Sequence, residues 1–325
     1  MRRIERNYFI PDPVGGSREG PTARAIVVGA VFLAALLLVV SASGAAGQET
    51  AAGKVDWVEG YVSATGEGTA APSHDKVKDR MKAIRAATVM GQRGLLETIK
   101  GVKIDSSTRV EKKMLQEDAI HSRIEGTIRG AEIVRQDVRW EGDRPVATVE
   151  LRVCLGESGA CKSGKSLVGA LDLDQKGEQN DAPKQRLDDI EPRQGNIAQK
   201  VPEVVYDSSR PVTGIILNLQ SLHFERVILP VVITVGEESG PITVYSVKNV
   251  EPQVIRTYGV VRYADSVDQA RKNPHLGDNP IIVPVSGITK DNMIQIGFDA
   301  ARVVRETTLY GNDYLKNAKV IIAAK

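Results

Sequence analysis

Apolar residues recur at every third or fourth position between His74 and Lys100, and this spacing predicts one long amphipathic helix. The apolar stripe consists of Val77, Met81, Ile84, Thr88, Gly91, Leu95 and Ile99. Alanine and glycine residues lie beside the stripe, so the helix can pack close against a sheet. Gly101 follows the last apolar position, where glycine commonly ends a helix.

Segments rich in β-favouring residues flank this helix and predict strands. The predicted strands and extended segments are 56–66, 102–110, 126–140 and 145–155. A shorter helix is predicted over 112–124. The resulting order, β-α-β-α-β-β, is typical of a small α+β domain with its helices on one face of the sheet, and we assign it to residues 51–157.

Polar and charged residues dominate the next part of the chain, residues 158–210, and predict a linker. The apolar signal returns at Val212, and short apolar runs separated by turn residues predict a second, strand-rich α+β domain over 211–325. The predicted fold class is therefore α+β, with two small mixed domains whose sheets are rich in antiparallel strands.

The N-terminal segment, residues 1–47, has the order of a secretory signal. Arg24 precedes an apolar run without charges, residues 25–40, and small residues follow it. Cleavage near Ala45 or Ala46 fits this pattern best. An uncleaved anchor is the alternative, because the run approaches the roughly 20 residues that span a bilayer. In both cases the rest of the chain is exported, and the predicted location is the periplasm.

Composition narrows the classes of partner. The formal net charge is +2, so the chain as a whole shows no bias toward nucleic acid or an anionic membrane surface. Aromatic residues make up only 4% of the chain, which argues against an aromatic platform for sugars or bases.

The letters GACKSGKS, from Gly159 to Ser166, match the pattern of a phosphate-binding loop. Such a loop needs a buried parallel strand before it and a helix after it. The preceding residues alternate between apolar and polar, as in an antiparallel strand, and the following apolar segment is short. We therefore interpret the match as accidental. The nucleotide hydrolase stays an alternative hypothesis, in which Lys165 would be essential.

The chain contains two cysteines, Cys154 and Cys161. They flank a short loop in an exported segment, where disulfides form readily, so we predict a local disulfide between them. Two reduced thiols are the alternative.

The remaining reactive side chains show no catalytic pattern. The four histidines are scattered along the chain, and none has a partner at metal-ligand spacing. The histidines are His74, His121, His223 and His275. We therefore expect no enzyme activity, no metal and no cofactor.

Two stretches of the sequence resemble a known family. The first has an Ala-rich helix, then the pattern R-x-L-L-E-x-I-x-G-V, then G-x-I-x-G-A. The matching residues are Arg93, Leu95, Leu96, Glu97, Ile99, Gly101, Val102, Gly126, Ile128, Gly130 and Ala131. This stretch is similar to the N-terminal domain of flagellar assembly protein T and the related twenty-kilodalton outer-membrane lipoproteins.

The second stretch runs from Thr213 to Ala300 and resembles the C-terminal region of exported members of the same group. The family's D-A-R-G turn is absent, and Asn218–His223 stands in its place. The lipidated cysteine of the lipoproteins is also absent. The resemblance implies a non-enzymatic envelope protein, which in some members belongs to the ring around the flagellar motor.

The expected function is therefore that of an exported scaffold or assembly factor. Its expected partners are envelope or flagellar motor proteins, and not nucleic acid. Self-association stays open. The alternative is a periplasmic module that binds a small ligand.

Overall fold

Two β-sheets with their helices make up the part of the chain that the structure, a computed structural model, describes. The described residues are 53–156, 165–173, 182–189, 204–236, 240–309 and 313–324. The predicted signal or anchor over residues 1–47 lies outside these ranges. Within them, no helix has the length and apolar character needed to cross a membrane.

The N-terminal lobe, residues 53–156, contains a four-stranded antiparallel sheet in the order β1-β2-β4-β3. The strands are β1 (Gly53–Asp56), β2 (Tyr61–Thr69), β3 (Glu132–Glu141) and β4 (Arg144–Cys154). The helices α1 (Lys76–Gly101), α2 (Val110–Gln116) and α3 (Asp118–Arg129) lie between β2 and β3 along the chain. The long helix predicted over 74–100 is therefore confirmed as α1.

Helix α1 packs against the sheet through glycines that allow its backbone to approach β2. A Cβ atom added at Gly66 would lie 2.1 Å from the carbonyl oxygen of Ala87. One added at Gly68 would lie 2.2 Å from the backbone nitrogen of the same alanine. Because a Cβ does not fit at either position, only glycine permits this packing. The face of α1 that carries alanine and glycine residues is the face that packs against the sheet.

Four segments of the N-terminal lobe differ from the prediction. Residues 57–60 of the strand predicted over 56–66 form a turn, and the helix predicted over 112–124 is divided at Glu117 into α2 and α3. Residues 102–110 form a tight turn with a single antiparallel bridge between Lys103 and Arg109, instead of a strand. The Asp105 carboxylate accepts hydrogen bonds from the backbone N–H groups of Ser107 and Thr108, which closes the turn. The strand predicted from residue 126 begins only at residue 132, because the preceding residues continue α3 as far as Arg129.

The C-terminal lobe, residues 204–324 together with residues 185–186, is built on an eight-stranded sheet in the order β5-β8-β7-β11-β10-β6-β12-β9. The strands are β5 (Gln185–Arg186), β6 (Gly214–Asn218), β7 (Val232–Gly236), β8 (Gly240–Tyr245), β9 (Arg262–Ala264), β10 (Pro280–Ile288), β11 (Ile294–Ile296) and β12 (Val320–Ala323). The helices that accompany it are α4 (Leu167–Leu171), α5 (Pro252–Tyr258), α6 (Val267–Arg271) and α7 (Phe298–Leu309).

This second sheet is mixed, because five of its seven strand pairings in the described residues are parallel. Its central strands β6, β10 and β12 are buried on both faces. Ile215 and Leu217 face the main core, whereas Ile216 between them belongs to a smaller apolar cluster with α6. Strands buried on both faces read as continuous apolar runs, which explains their appearance in the sequence. The predicted α+β class is confirmed, but the prediction of antiparallel-rich sheets holds only for the first sheet. The second sheet is mainly parallel, because its strands are joined mostly through helices and long connections instead of hairpins.

Parts of the polar region 158–210 are packed into the folded body. Leu167 and Leu171 of α4 are each 1% exposed, and this helix lies against α3. Strand β5 pairs in parallel with β8. These elements are short and surrounded by polar residues. The composition of the region therefore did not indicate them. The other residues of the predicted linker lie outside the described ranges.

The glycines under α1 generate a prediction about stability. We expect Gly66→Ala to destabilise the protein by about 1–3 kcal/mol or more, because the new methyl group must push α1 away from β2. Gly126→Ala is the matched control. No atom lies within 4 Å of a Cβ at that position of α3, so alanine should stabilise the helix by about 0.5–1 kcal/mol. Urea unfolding followed by circular dichroism measures both changes, and equal effects of the two substitutions would contradict the packing argument.

Candidate functional site

The two lobes meet at an aromatic contact, which we call the lobe junction. Trp57, in the turn after β1, meets Tyr263 of β9 edge-to-face, with ring centres 5.4 Å apart. Phe224 lies nearly parallel to the same tyrosine, with ring centres 6.4 Å apart. Edge-to-face and offset arrangements are the favourable geometries for aromatic pairs. The junction therefore joins β1 of one lobe to the edge strand β9 of the other.

The hydroxyl group of Tyr263 ties the centre of the junction to the backbone. It donates a hydrogen bond to the carbonyl oxygen of Val227 at 2.7 Å and accepts one from the N–H of the same residue at 3.1 Å. Burial raises the pKa of Tyr263, so the phenol is neutral and keeps its donor proton. A buried phenol with both roles satisfied is a rigid element of the junction.

Backbone hydrogen bonds add a second connection between the lobes. The N–H of Ile228 donates to the carbonyl of Lys103 at 3.1 Å, and the N–H of Leu229 donates to the carbonyl of Ile104 at 2.7 Å. The Lys103 ammonium also pairs with the carboxylate of Glu225. Buried residues from both lobes belong to one continuous core. The described parts of residues 49–325 are correspondingly one compact unit.

A narrow cleft opens on one side of the junction. Its walls come from both lobes and include Trp57, Tyr258, Arg262 and Tyr263. The ring of His275 lies 5.1 Å from that of Tyr258. Desolvation lowers the pKa of His275, and its Nε2 lies 3.0 Å from the carbonyl oxygen of Ala318. The cleft therefore combines aromatic walls with a guanidinium group.

A wider groove lies on the other side of the aromatic cluster. It is lined by Trp57 and Thr98 from the N-terminal lobe and by Leu222, Phe224 and Arg226 from the C-terminal lobe.

The guanidinium of Arg226 has three partners around this groove. It pairs with Asp265 at 3.1 Å, donates to the carbonyl of Ala324 at 3.4 Å, and lies 5.6 Å from the Tyr263 ring centre. The charge of Arg226 is thus engaged in holding the junction together.

The structure places Lys165 and Ser166, from the loop-like motif, in surroundings unlike a phosphate site. Strand β4 before the motif is antiparallel to both of its neighbours, and α4 after it is only five residues long. The Ser166 hydroxyl accepts from the N–H of Gly169 and so caps its own helix. A Cβ at Gly130 would lie 3.4 Å from Lys165 Nζ, so this ammonium sits at the C-terminal end of α3, where a positive charge is favourable.

The predicted disulfide is only half within the described residues. Cys154 ends β4, is 2% exposed, and is not a free thiol. Cys161 and the other motif residues up to 164 lie outside the described ranges. The pairing of Cys154 with Cys161 stays a prediction.

The histidines have different surroundings in the structure. His121 lies 3.4 Å from the carboxylate of Glu125 on the same helix, His223 lines the wider groove, and His74 is exposed. Within the described ranges, no group of His, Cys, Asp and Glu residues could hold a metal ion.

Sequence reasoning missed the lobe junction. Trp57 falls in the strand predicted over 56–66, but no pattern in the sequence connects it with Tyr263. The only available signal was the rarity of aromatic residues, 4% of the chain, which makes each large ring a candidate for a special contact.

The structure thus defines the chain as an α+β protein in which a mixed eight-stranded sheet is joined to an antiparallel four-stranded one. Residues 214–325, from the first residue of β6 onward, match the family described as Treponema pallidum Tp0624, second domain. No curated protein matches the chain.

The double hydrogen bond of Tyr263 predicts a large effect of a small change. Tyr263→Phe should reduce the free energy of unfolding by about 1–3 kcal/mol, because the buried N–H and carbonyl of Val227 lose their partner. Tyr258→Phe is the control, since Tyr258 is 41% exposed and its hydroxyl makes no hydrogen bond with a described residue. Chemical unfolding of the three proteins measures the difference. If Tyr263→Phe unfolds like the wild type, the hydroxyl does not hold the junction.

Proposed function

We infer that this chain is an exported, non-enzymatic envelope protein that acts as a scaffold or assembly factor through contacts with other proteins. The apolar run over residues 25–40, followed by small residues, supports export. The proposed location is the periplasm, and the proposed partners are envelope proteins.

The observation that carries this proposal is the free edge of the N-terminal sheet. Strand β3 is ten residues long, pairs with β4 on one side, and pairs with no described residue on the other. Three large apolar residues on it are exposed. They are Ile133 (49%), Val134 (37%) and Trp140 (40%). A long edge with exposed apolar side chains is typical of a surface that binds another protein.

The start of α1 extends this apolar surface. The Lys76 ammonium lies 5.4 Å from the centre of the Trp140 ring, so the first turn of α1 is next to the end of β3. Val77 and Met81 on this part of the helix are 70% and 67% exposed. Because two lobes with one core form the base of this surface, it is presented on a rigid body, as a scaffold requires.

The resemblance to flagellar assembly protein T makes the flagellar motor ring the first assembly to test. It rests on small and apolar residues in and after α1, such as Gly101, Gly126 and Gly130. The proposal of an envelope scaffold does not depend on it.

The test is affinity capture of the full chain from cross-linked cells, followed by identification of the proteins recovered. We expect envelope or motor components with the wild type and much lower recovery with Trp140→Ala. Leu309→Ala is the control, because Leu309 is similarly exposed (46%) but lies on α7 of the C-terminal lobe, outside both clefts. Recovery of background proteins alone with the wild type would overturn the proposal.

A second candidate function is the binding of a small ligand, which the cleft beside Trp57 and Arg262 favours. The lining holds aromatic side chains, the guanidinium of Arg262 and the carboxylate of Glu59, and the guanidinium suits a small carboxylate or phosphate. A ligand that binds only the folded state stabilises it by about 2.7 kcal/mol at a concentration of 100 Kd. We expect benzoate, citrate or inorganic phosphate to raise the Tm of the full chain, and Arg262→Gln to abolish the rise. No change in Tm with any of the three would remove this candidate.

A further inference from the structure

Four charged residues alternate in sign along β3. Arg135, Asp137, Arg139 and Glu141 are all exposed. Their register partners on β4 are Glu150, Thr148, Val146 and Arg144. The residues of β4 between these partners are buried under α1, so the four charged side chains lie on the opposite, solvated face of the sheet. The outer face of β3 therefore carries the pattern plus, minus, plus, minus.

A β-bulge limits the regular part of this edge. The pairing of β3 with β4 shifts between Ile133 and Arg135, which leaves Val134 as the extra residue. From Arg135 to Glu141 the pairing proceeds one residue at a time. Side chains alternate strictly between the two faces only in this stretch. The register of a partner strand would therefore be set by these residues.

The first two charges of this stretch differ from the last two in their ion pairs to described residues. Arg135 and Asp137 form no ion pair with a described residue. Arg139, in contrast, lies 3.2 Å from Glu141 and 3.8 Å from Glu67. Ion pairs among the described residues therefore account for Arg139 and Glu141, but not for Arg135 and Asp137.

The pattern is complementary to itself when a second strand runs antiparallel. With Val138 opposite its own copy, Arg135 faces Glu141 and Asp137 faces Arg139, and two-fold symmetry makes each pair occur twice. The inner face then places Val138 against Val138 and Gln136 against Trp140. Opposite charges directly across two strands are stabilising, and like charges are destabilising.

The neighbouring registers are not complementary. A shift that places Asp137 opposite itself also sets Arg135 against Arg139. A shift in the other direction places Arg139 opposite itself and Asp137 against Glu141. A further shift, centred on Gln136, keeps only the pair of Arg135 with Asp137 and reaches into the bulge. The charges therefore favour the register centred on Val138.

We propose that a second copy of this chain binds at β3, in an antiparallel pair centred on Val138 that joins two four-stranded sheets into one. This dimer rests on the proposed scaffold function, because it identifies a second copy of the chain as one protein that binds the exposed edge of β3. It commits to a symmetric homodimer with a defined register.

Charge reversal at one position tests the proposal. Asp137→Arg sets an arginine against Arg139 of the other copy on both sides of the two-fold axis. In the register centred on Arg139 the new arginine faces Glu141, but Arg139 still faces its own copy. We expect its self-association to weaken by about tenfold or more relative to the wild type, as measured by sedimentation of the full chain over a concentration series. Glu111→Arg is the matched control, because it makes the same change in net charge at an exposed position of α2.

Exchange of the two charges tests the register. In the double variant Asp137→Arg, Arg139→Asp, position 137 again faces a residue of opposite charge at position 139 of the other copy. We therefore expect the double variant to dimerise again. Circular dichroism and thermal unfolding show whether each variant is folded. A monomeric wild type, a dimer that Asp137→Arg leaves unchanged, or a folded double variant that stays monomeric would each overturn the proposal. Capture of envelope partners by a monomeric wild type would leave the scaffold function standing without the dimer.

Discussion

The backbone of α1 lies directly against the backbone of β2, and the N-terminal lobe depends on this contact. Gly66 and Gly68 remove the side chains that would separate the two elements, and Ala83, Ala87 and Gly91 do the same on the helix. Larger residues at these positions would lift the helix away and open the core over Val149 and Leu151 of β4. With α1 seated on one face, the other face of the sheet is left to water and carries charged side chains.

The lobe junction connects this helix-packed sheet to the second sheet. Trp57 stands in the turn between β1 and β2, and β2 is the strand on which α1 is seated. The contact of Trp57 with Tyr263, together with the backbone hydrogen bonds from Ile228 and Leu229, holds the mixed sheet against the N-terminal lobe. The clefts on both sides of the junction lie between the two lobes. Their linings therefore come from both lobes.

Elements with a strong local pattern were predictable, and elements that depend on distant contacts were not. The apolar stripe predicted α1 to within about two residues at each end, the usual uncertainty of helix boundaries. The alternation over 145–155 located β4. Residues 102–110 have β-favouring side chains, but the turn at Asp105 and the hydrogen bonds to Ile228 and Leu229 decide their conformation. The phosphate-loop pattern that includes Lys165 and Ser166 is the opposite case. It is a strong local motif, but the antiparallel strand before it does not form a phosphate site.

The sequence by itself determined the α+β class, the position of the long helix and the alternating charges from Arg135 to Glu141, because these follow from the periodicity of side chains along a helix or strand. Only the tertiary structure decided that β3 is an edge strand, that the bulge at Val134 precedes the regular stretch, and that Trp57 meets Tyr263. Strand order and contacts between lobes depend on groups far apart in the chain, and periodicity carries no information about which distant strand becomes a neighbour.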